Sequence, residues 1–527
     1  MGRRDKADNL VSSSASGLYE RKLERRVVLF STMGAALMQA IDATIANVAL
    51  PYMQGSLAAT RDQVTWVLTS YIVSAAIMTA PVGWLASRFG RKNLALVSVA
   101  GFTIASMFCG AAQSLDQIIL FRLLQGGFGA ALSPLSQSIM LDLYPVEKRG
   151  QMMAIWAIGA MVGPILGPTL GGYLTENYDW RWVFYVNVPF GITSFAGIWF
   201  FFRDTYRDSA LRFDWFGFGL LGVGIGALQL FLDRGSGKDW FSSSEIIIEA
   251  IVAGLGIYLF TVHLFLSKGT FIPREIFRDR SFMTSLLLSF QLGLVILAST
   301  ALLPTYLQNL AGYSARQTGL LMSPRGIGMV ITMLTVGRLA FRADPRKVMM
   351  AGTLILLWSL WEMSRWTPDV SAWDLAGITF LQGIGSGMMF VPMTLVTFAT
   401  LPASLRTDAS AFLNLVRNIG SSIGVSITST FLAASTQIEH SHLAEHATPF
   451  NRALAQNAPG AMWNPQITFG AQALEGIIDY NAQVIAYAND FLFMFFLSLP
   501  ALAVILMMRR PAPLAASATR ELEVAAE

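Results

Sequence analysis

The chain has 527 residues, 54% of them hydrophobic and only 13% charged, with a mean hydropathy of +0.52. Soluble domains carry roughly 25% charged residues, so about half that value argues for lipid as solvent. One cysteine, Cys109, excludes a disulfide framework, and four histidines without an HExxH or paired CxxC argue against a catalytic metal site. The net charge of +4 and pI near 9.1 do not indicate nucleic acid, because the basic residues are scattered through short loops.

The first 26 residues are polar, which is not the pattern of a secretory signal peptide. Val27–Leu50 then forms a first apolar stretch long enough to cross a bilayer, with Asp42 as its only formal charge. An ionisable group at that depth costs a few kcal/mol even on lenient insertion scales, so it must be partnered or used. By the same length rule, further spans are expected at 64–86, 94–113, 117–141, 151–174, 183–202, 213–233, 245–267, 282–306, 317–337, 348–364, 373–400, 409–436 and 488–508. That makes fourteen. With both termini placed in the cytoplasm, 27 Lys and Arg fall on the cytoplasmic side and 7 on the outer side, as the positive-inside rule requires. Arg122, Arg325 and Arg417 lie within spans.

An internal repeat divides these spans. LQG at 124–126 recurs at 381–383, and the same offset of 257 pairs Pro145 with Pro402, Arg149 with Arg406, Gly163 with Gly420 and Gly167 with Gly424. Earlier in each half, GWLASRFGRK (83–92) faces GRLAFRADPRK (337–347). Two parallel six-span halves are a transporter architecture with the substrate path between them. The expected organisation is all-α, 6+2+6. It comprises a cytoplasmic tail (1–26), an N-terminal six-helix bundle (27–202) and two extra central helices with their loops (203–281). A C-terminal six-helix bundle (282–508, with a long outer loop at 437–487) and a second tail (509–527) complete it.

IDATIANVALP (41–51), FRLLQGGFGA (121–130) and GAMVGPILGPTLGG (159–172) resemble the first-, fourth- and fifth-span motifs of one family. It is the fourteen-span drug:proton antiporter branch of the major facilitator superfamily. DWRWVFYVNVPFG (179–191), LDRGSGKDWFSSSEIII (232–248) and HSHLAEHATPFN (440–451) extend the likeness, which covers roughly residues 25–510. The resemblance implies proton-driven efflux of hydrophobic or amphipathic compounds across a bacterial inner membrane. It also implies no enzymatic activity, no cofactor beyond the proton gradient, a periplasmic adaptor (EmrA-like) and an outer-membrane channel (TolC-like). A proton-coupled transporter of one specific metabolite is the competing reading on the same fold.

The chain departs from the superfamily at the loop after span two, where an acid is usual in GxLxDRxGRK and Ser87 stands here, with Phe341 in the second copy. A cytoplasmic lock of the usual kind is therefore not expected, although Gly83, Arg88, Gly90 and Arg91 remain and the arginines could pair with other acids.

Asp42 and Arg122 are expected at similar depth, either as a permanent structural ion pair or as a proton-exchanging acid and its partner. Gln39, three residues before Asp42, is expected on the same helical face, and Gln125 belongs to the fourth-span motif. Asn414 with Arg417, and Gln291 and Arg325, are candidate polar groups of the second half, set against interhelical bonding and snorkelling as simpler roles. Gly159, Gly163, Pro164, Gly167, Pro168, Gly171 and Gly172 carry no chemistry. Close packing and a bend are their expected work, forming a tight seam between the halves. His440, His442 and His446 do not share a helical face, so a solvated helix in the outer loop is expected rather than a metal site. GxGxG at 222–226 lies inside span seven without a preceding strand, and no Walker lysine motif is present, so no nucleotide site is expected.

Overall fold

A computed structural model describes residues 22–508 apart from 145, 204–207, 209–210, 268, 340–343 and 448–467. Pro145 and Phe341 of the repeat therefore lie outside the described residues, as do both chain ends and the middle of the long outer loop. Among the described residues all regular structure is helical. Ten of these helices are long and apolar enough to cross a membrane, or eleven if one bent pair counts as a single span.

In the first half these elements are α1 (Lys22–Ser56), α2 (Arg61–Thr79) with α3 (Val82–Phe89), α4 (Arg91–Ala111), α5 (Leu115–Gly129) with α6 (Leu132–Leu143), α7 (Val146–Asn177), and the short α8 (Trp182–Tyr185) with α9 (Asn187–Phe201). The bent pair is α2 and α3, which meet at 58°. Pro81 sits at that break, where its missing N–H removes a helical hydrogen bond. α10 (Trp215–Arg234) and α11 (Ser244–Leu266) follow, then the single turn α12 (Glu275–Arg278). The second half holds α13 (Arg280–Asn309), α14 (Ala315–Leu339), α15 (Pro345–Met363), α16 (Ala372–Ala399), α17 (Arg406–Glu445), and α18 (Thr468–Ser498) with α19 (Pro500–Met507).

Three of the fourteen expected spans fall on α7, α15 and α17, which are not among the apolar candidates. α15 opens with Arg346 and Lys347, and α17 is rich in Ser, Thr and Asn. The helix that carries the last expected span begins well before residue 488. α18 starts at Thr468, and α17 continues to Glu445. The described part of the expected long loop is therefore mostly a pair of helical extensions, joined where His440 meets Glu475 at 3.1 Å and Asn489 donates to Glu439 at 3.4 Å.

The same packing pairs recur in both halves. α1 lies on α7 as α13 lies on α17, α2 on α5 as α14 on α16, and α4 on α5 as α15 on α16. The halves meet where α7 packs against α14 and where α17 packs against α2, α3 and α6. α10 and α11 pack on each other, with α10 against α2 and α17, and α11 is the least buried of the candidate spans. Gly224 and Gly256 let these two backbones touch: a Cβ on Gly224 would stand 2.9 Å from the Ile257 nitrogen. The GxGxG stretch is thus a helix–helix contact.

Candidate functional site

α1, α5 and α9 bring a closed polar cluster to the centre of the first half. Asp42 is fully buried, and Arg122 Nη1 donates to its Oδ2 at 2.6 Å. Gln125 Nε2 and Asn187 Nδ2 both donate to Oδ1, at 2.9 and 2.8 Å. Arg122 also donates from Nε to the Val67 carbonyl (3.1 Å) and from Nη1 to Gln125 Oε1 (3.0 Å), and the Tyr71 ring covers its guanidinium at 4.1 Å. Asn187 also reaches Ser106 Oγ at 3.0 Å, and Ser106 donates onward to the Phe184 carbonyl at 2.8 Å. A buried ion pair is tolerable only when its remaining polar atoms are satisfied. Here three donors on one carboxylate meet that condition.

The sequence expectations divide on this geometry. Asp42, Arg122 and Gln125 come together. Gln39 does not join them: its Oε1 accepts from the Ser133 backbone N–H at 3.2 Å, at the break between α5 and α6, where a helix start leaves free donors. Gln291 has a parallel place, donating at 2.5 Å to the Leu497 carbonyl just before the break at Pro500. Asn414 and Arg417 do pair, at 2.5 Å, and line a small cavity between the halves with Gln137, Phe390, Met393 and Thr394. Arg325 donates to the Ile296 carbonyl at 3.1 Å and leaves its buried Nη1 without a partner.

The glycines of 159–172 pack, but not between the halves. A Cβ on Gly163 would come within 2.9 Å of the Ile41 nitrogen, on Gly167 within 3.1 Å of Thr44 Cβ, and on Gly171 within 2.9 Å of the Ile45 carbonyl. Gly159 and Gly172 face Met33 and Val48 on the same helix more loosely, at 3.2 and 3.9 Å. The stripe therefore seats α7 on α1, inside one half, along the stretch that carries Asp42. Pro168 is exposed, and the Pro164 side chain lies outside the described residues.

The missing acid at Ser87 has a substitute. Asp142, at the end of α6, accepts from Arg91 through one oxygen and from Arg406 Nη1 through the other, at 2.5 Å for the latter. Arg406 begins α17 and so belongs to the second half. Arg91 reaches the Ala403 carbonyl as well (3.3 Å), and Thr407 donates to Ser138 at 3.2 Å. Gly83 admits Asp408 so closely that a Cβ there would stand 2.7 Å from its Cα, and Gly90 has φ of 85°, a left-handed value suited to glycine. The usual lock is thus replaced by another between the halves, in which Arg91 pairs with an acid on α6. Arg88 takes no visible part, its Nη1 having no partner.

The second half repeats the frame of the Asp42 cluster with other side chains. Gln382 Nε2 donates to Ser299 Oγ at 2.9 Å, as Gln125 does to Asp42. Thr379 donates to the Leu321 carbonyl at 3.2 Å where Arg122 reaches that of Val67. Gly383 meets the Arg325 backbone as Gly126 meets that of Tyr71. Sequence reasoning missed Asn187, Tyr71 and a second fully buried acid, Asp490. Asp490 carried the same signal as Asp42, a formal charge inside an apolar run.

A family model described as Major Facilitator Superfamily matches residues 32–425. The chain is 37% identical over 443 residues to the multidrug export protein EmrB of Escherichia coli strain K12, covering 82% of this chain and 85% of that one. It is 35% identical over 427 residues to the fatty acid resistance protein FarB of Neisseria gonorrhoeae, covering 80% and 84%. Among solved structures it resembles the human organic anion transporter TETRAN, with a TM-score of 0.56 at 15% identity, over 91% of this chain and all of that one. That last likeness concerns the fold alone. The chain is a multi-pass membrane protein of the major facilitator superfamily, and it belongs to the branch that holds the EmrB multidrug export proteins.

Proposed function

We propose that this chain is a proton-driven exporter of hydrophobic and amphipathic compounds, working by alternating access between two six-helix halves. On this reading fourteen spans are arranged 6+2+6 in the inner membrane, with both ends in the cytoplasm and no cofactor beyond the proton gradient. The names of its relatives support efflux of toxic compounds. The observation that carries the coupling is the enclosure of Asp42: an acid sealed from water at membrane depth, held by Arg122, Gln125 and Asn187.

In this conformation three donors surround Asp42, and the lock around Asp142 closes the end of the molecule that would face the cytoplasm. Opening the first half to water on either side must loosen contacts of α1 with α5 and α9, because those helices hold the donors. On this reading Asp42 exchanges its proton with water in the opened state, so the two conformations would differ in protonation. One charge moved across 100 mV is worth roughly 2.3 kcal/mol, about fortyfold in a concentration ratio. The cavity at Asn414 and Arg417 lies between the halves, where alternating access would place substrate. The helical extensions of α17 and α18 offer a surface for a periplasmic adaptor, with an outer-membrane channel beyond it.

The test is proton release driven by ethidium, used as a hydrophobic-cation probe, from proteoliposomes of wild type and Asp42→Asn. A variant that folds and binds ethidium but no longer exchanges it for protons supports the reading. Unchanged exchange would make Asp42 structural cement and sink it.

A further inference from the structure

The second half holds an acid of its own, in a place unlike that of Asp42. The sequence Tyr185-Val186-Asn187 brings Asn187 to the first cluster, and Tyr487-Ala488-Asn489 stands at the matching start of the membrane-crossing stretch of α18. The next residue is Asp490. Its side chain is fully buried, and neither oxygen has a hydrogen-bond partner. The adjoining Phe491 lies against Tyr306 (6.3 Å between ring centroids) and Trp366 (6.1 Å), and Tyr487, one helical turn back, lies against Tyr306 at 5.5 Å.

Among the described residues, no charge on the surrounding helices is available to it. On α13 the ionisable group at this level is Tyr306, whose hydroxyl is itself unpartnered. Near the end of α15, Glu362 pairs with Arg365, and on α17 Glu439 accepts from Asn489 while His440 meets Glu475. Arg325, whose Nη1 has no partner, lies on α14, whereas α18 packs on α13, α15 and α17. An ionised carboxylate without donors or a cation is disfavoured in such surroundings far more than the neutral acid. One sealed conformation thus holds two buried acids in opposite settings: Asp42 with three donors, Asp490 with none.

We propose that Asp490 is a second proton-carrying carboxyl, which binds a proton from water on one side of the membrane and returns it to water on the other. The proposal rests on the proton-exchange reading given for Asp42. Each half of the molecule then contributes one titrating acid to the cycle, with the second acid moved from the first helix of the repeat, where Ser299 stands, to the last.

The test uses the full chain reconstituted in liposomes and followed by infrared spectroscopy through a pH titration. Wild type is expected to show the carbonyl-stretch band of a buried protonated carboxylic acid that disappears at alkaline pH. The band is lost in Asp490→Asn and kept in Asp42→Asn. Asn copies the shape of the neutral acid, and Asp490→Leu, which removes the polar group altogether, gives a second folded control. A band unchanged in Asp490→Asn overturns the proposal. So does a band assigned to Asp490 that persists at every pH, because a proton that never leaves is not carried. In flux measurements with ethidium, Asp490→Asn should halve the protons exchanged per ethidium, and an unaltered ratio also overturns the assignment. Loss or retention of exchange in Asp42→Asn judges the underlying reading separately, since the infrared result for Asp490 does not depend on it.

Discussion

Asp142 and Arg406 lie 264 positions apart in the chain, yet Arg406 Nη1 stands 2.5 Å from Asp142 Oδ1 and ties α6 of one half to the first residue of α17 in the other. Arg91 shares the same carboxylate. All three side chains are 12–13% exposed, so this is neither a surface pair of little worth nor a fully dry one. Removing the acid would leave two guanidinium groups facing each other.

Asp142→Asn is therefore expected to weaken closure at this end by on the order of 2 kcal/mol, roughly thirtyfold in the ratio of closed to open molecules. Spin labels at the exposed positions Phe89 and Ser404 report it by pulsed distance measurement. A longer distance component should grow in the variant. Identical distance distributions would mean that the lock does not hold the halves together.

Asn187→Ala should destabilise the protein by about 1–3 kcal/mol, because it leaves Asp42 Oδ1 with one donor and removes the amide that donates to Ser106 Oγ, both in a buried setting. The check is the thermal midpoint of the purified protein, compared with Thr193→Ala on the same helix, where the side chain is exposed and bonds only to its own backbone turn. Equal midpoints for the two variants would show that the Asn187 contact carries no weight.

How much of this was open to sequence reasoning depends on the kind of contact. Asp42 and Arg122 could be paired because a charge inside a span must find a partner, and span direction fixes depth. The role of Asn187 could not be seen, because an amide in an apolar run has many simpler uses and its target is set by how α9 lies on α1. Gln39 misled for a related reason: three residues of spacing put it on the side of α1 that Asp42 occupies, but the nearer unsatisfied group was the Ser133 N–H at the helix break beside Pro134. The lock was legible only in part: Arg91 was open to pairing with another acid, but nothing in the sequence singled out Asp142, which supplies the charge from the end of another helix. The repeat was legible where glycines touch backbone, as at Gly126 and Gly383. It faded where Asp42 became Ser299 and Arg122 became Thr379, since there the frame is kept and the chemistry is not.

The glycine stripe on α7 gives a contrast between neighbours. Gly167→Ala would press its new methyl group onto Thr44 and should cost about 1–3 kcal/mol through overpacking. Gly172→Ala meets only Val48 Cγ1 at 3.9 Å and should be neutral, or gain up to about 1 kcal/mol from helix propensity. Since α1 carries Asp42, the Gly167 variant should also lose coupled exchange faster than it loses folded protein. Thermal melts alongside proton-coupled ethidium flux separate the two, and matched behaviour of both variants would remove the stripe from the account.

Cys109 offers a probe of whether the Asp42 cluster ever opens. It is the single cysteine of the chain, fully buried, with its sulfur 3.5 Å from Gln125 Oε1, the same side chain that donates to Asp42. A thiol reacts as the thiolate and only when a reagent reaches it. In resting proteoliposomes a small membrane-permeant maleimide should therefore modify it slowly. During ethidium export under an imposed pH gradient, each cycle that admits water to Asp42 must also loosen Gln125, and modification should accelerate at least about tenfold if the open form rises from near 1% to near 10% of molecules. Mass spectrometry of the labelled chain measures both rates without any engineered residue. Equal rates at rest and in turnover would mean that the cluster stays sealed throughout, and an acid that stays sealed exchanges no protons.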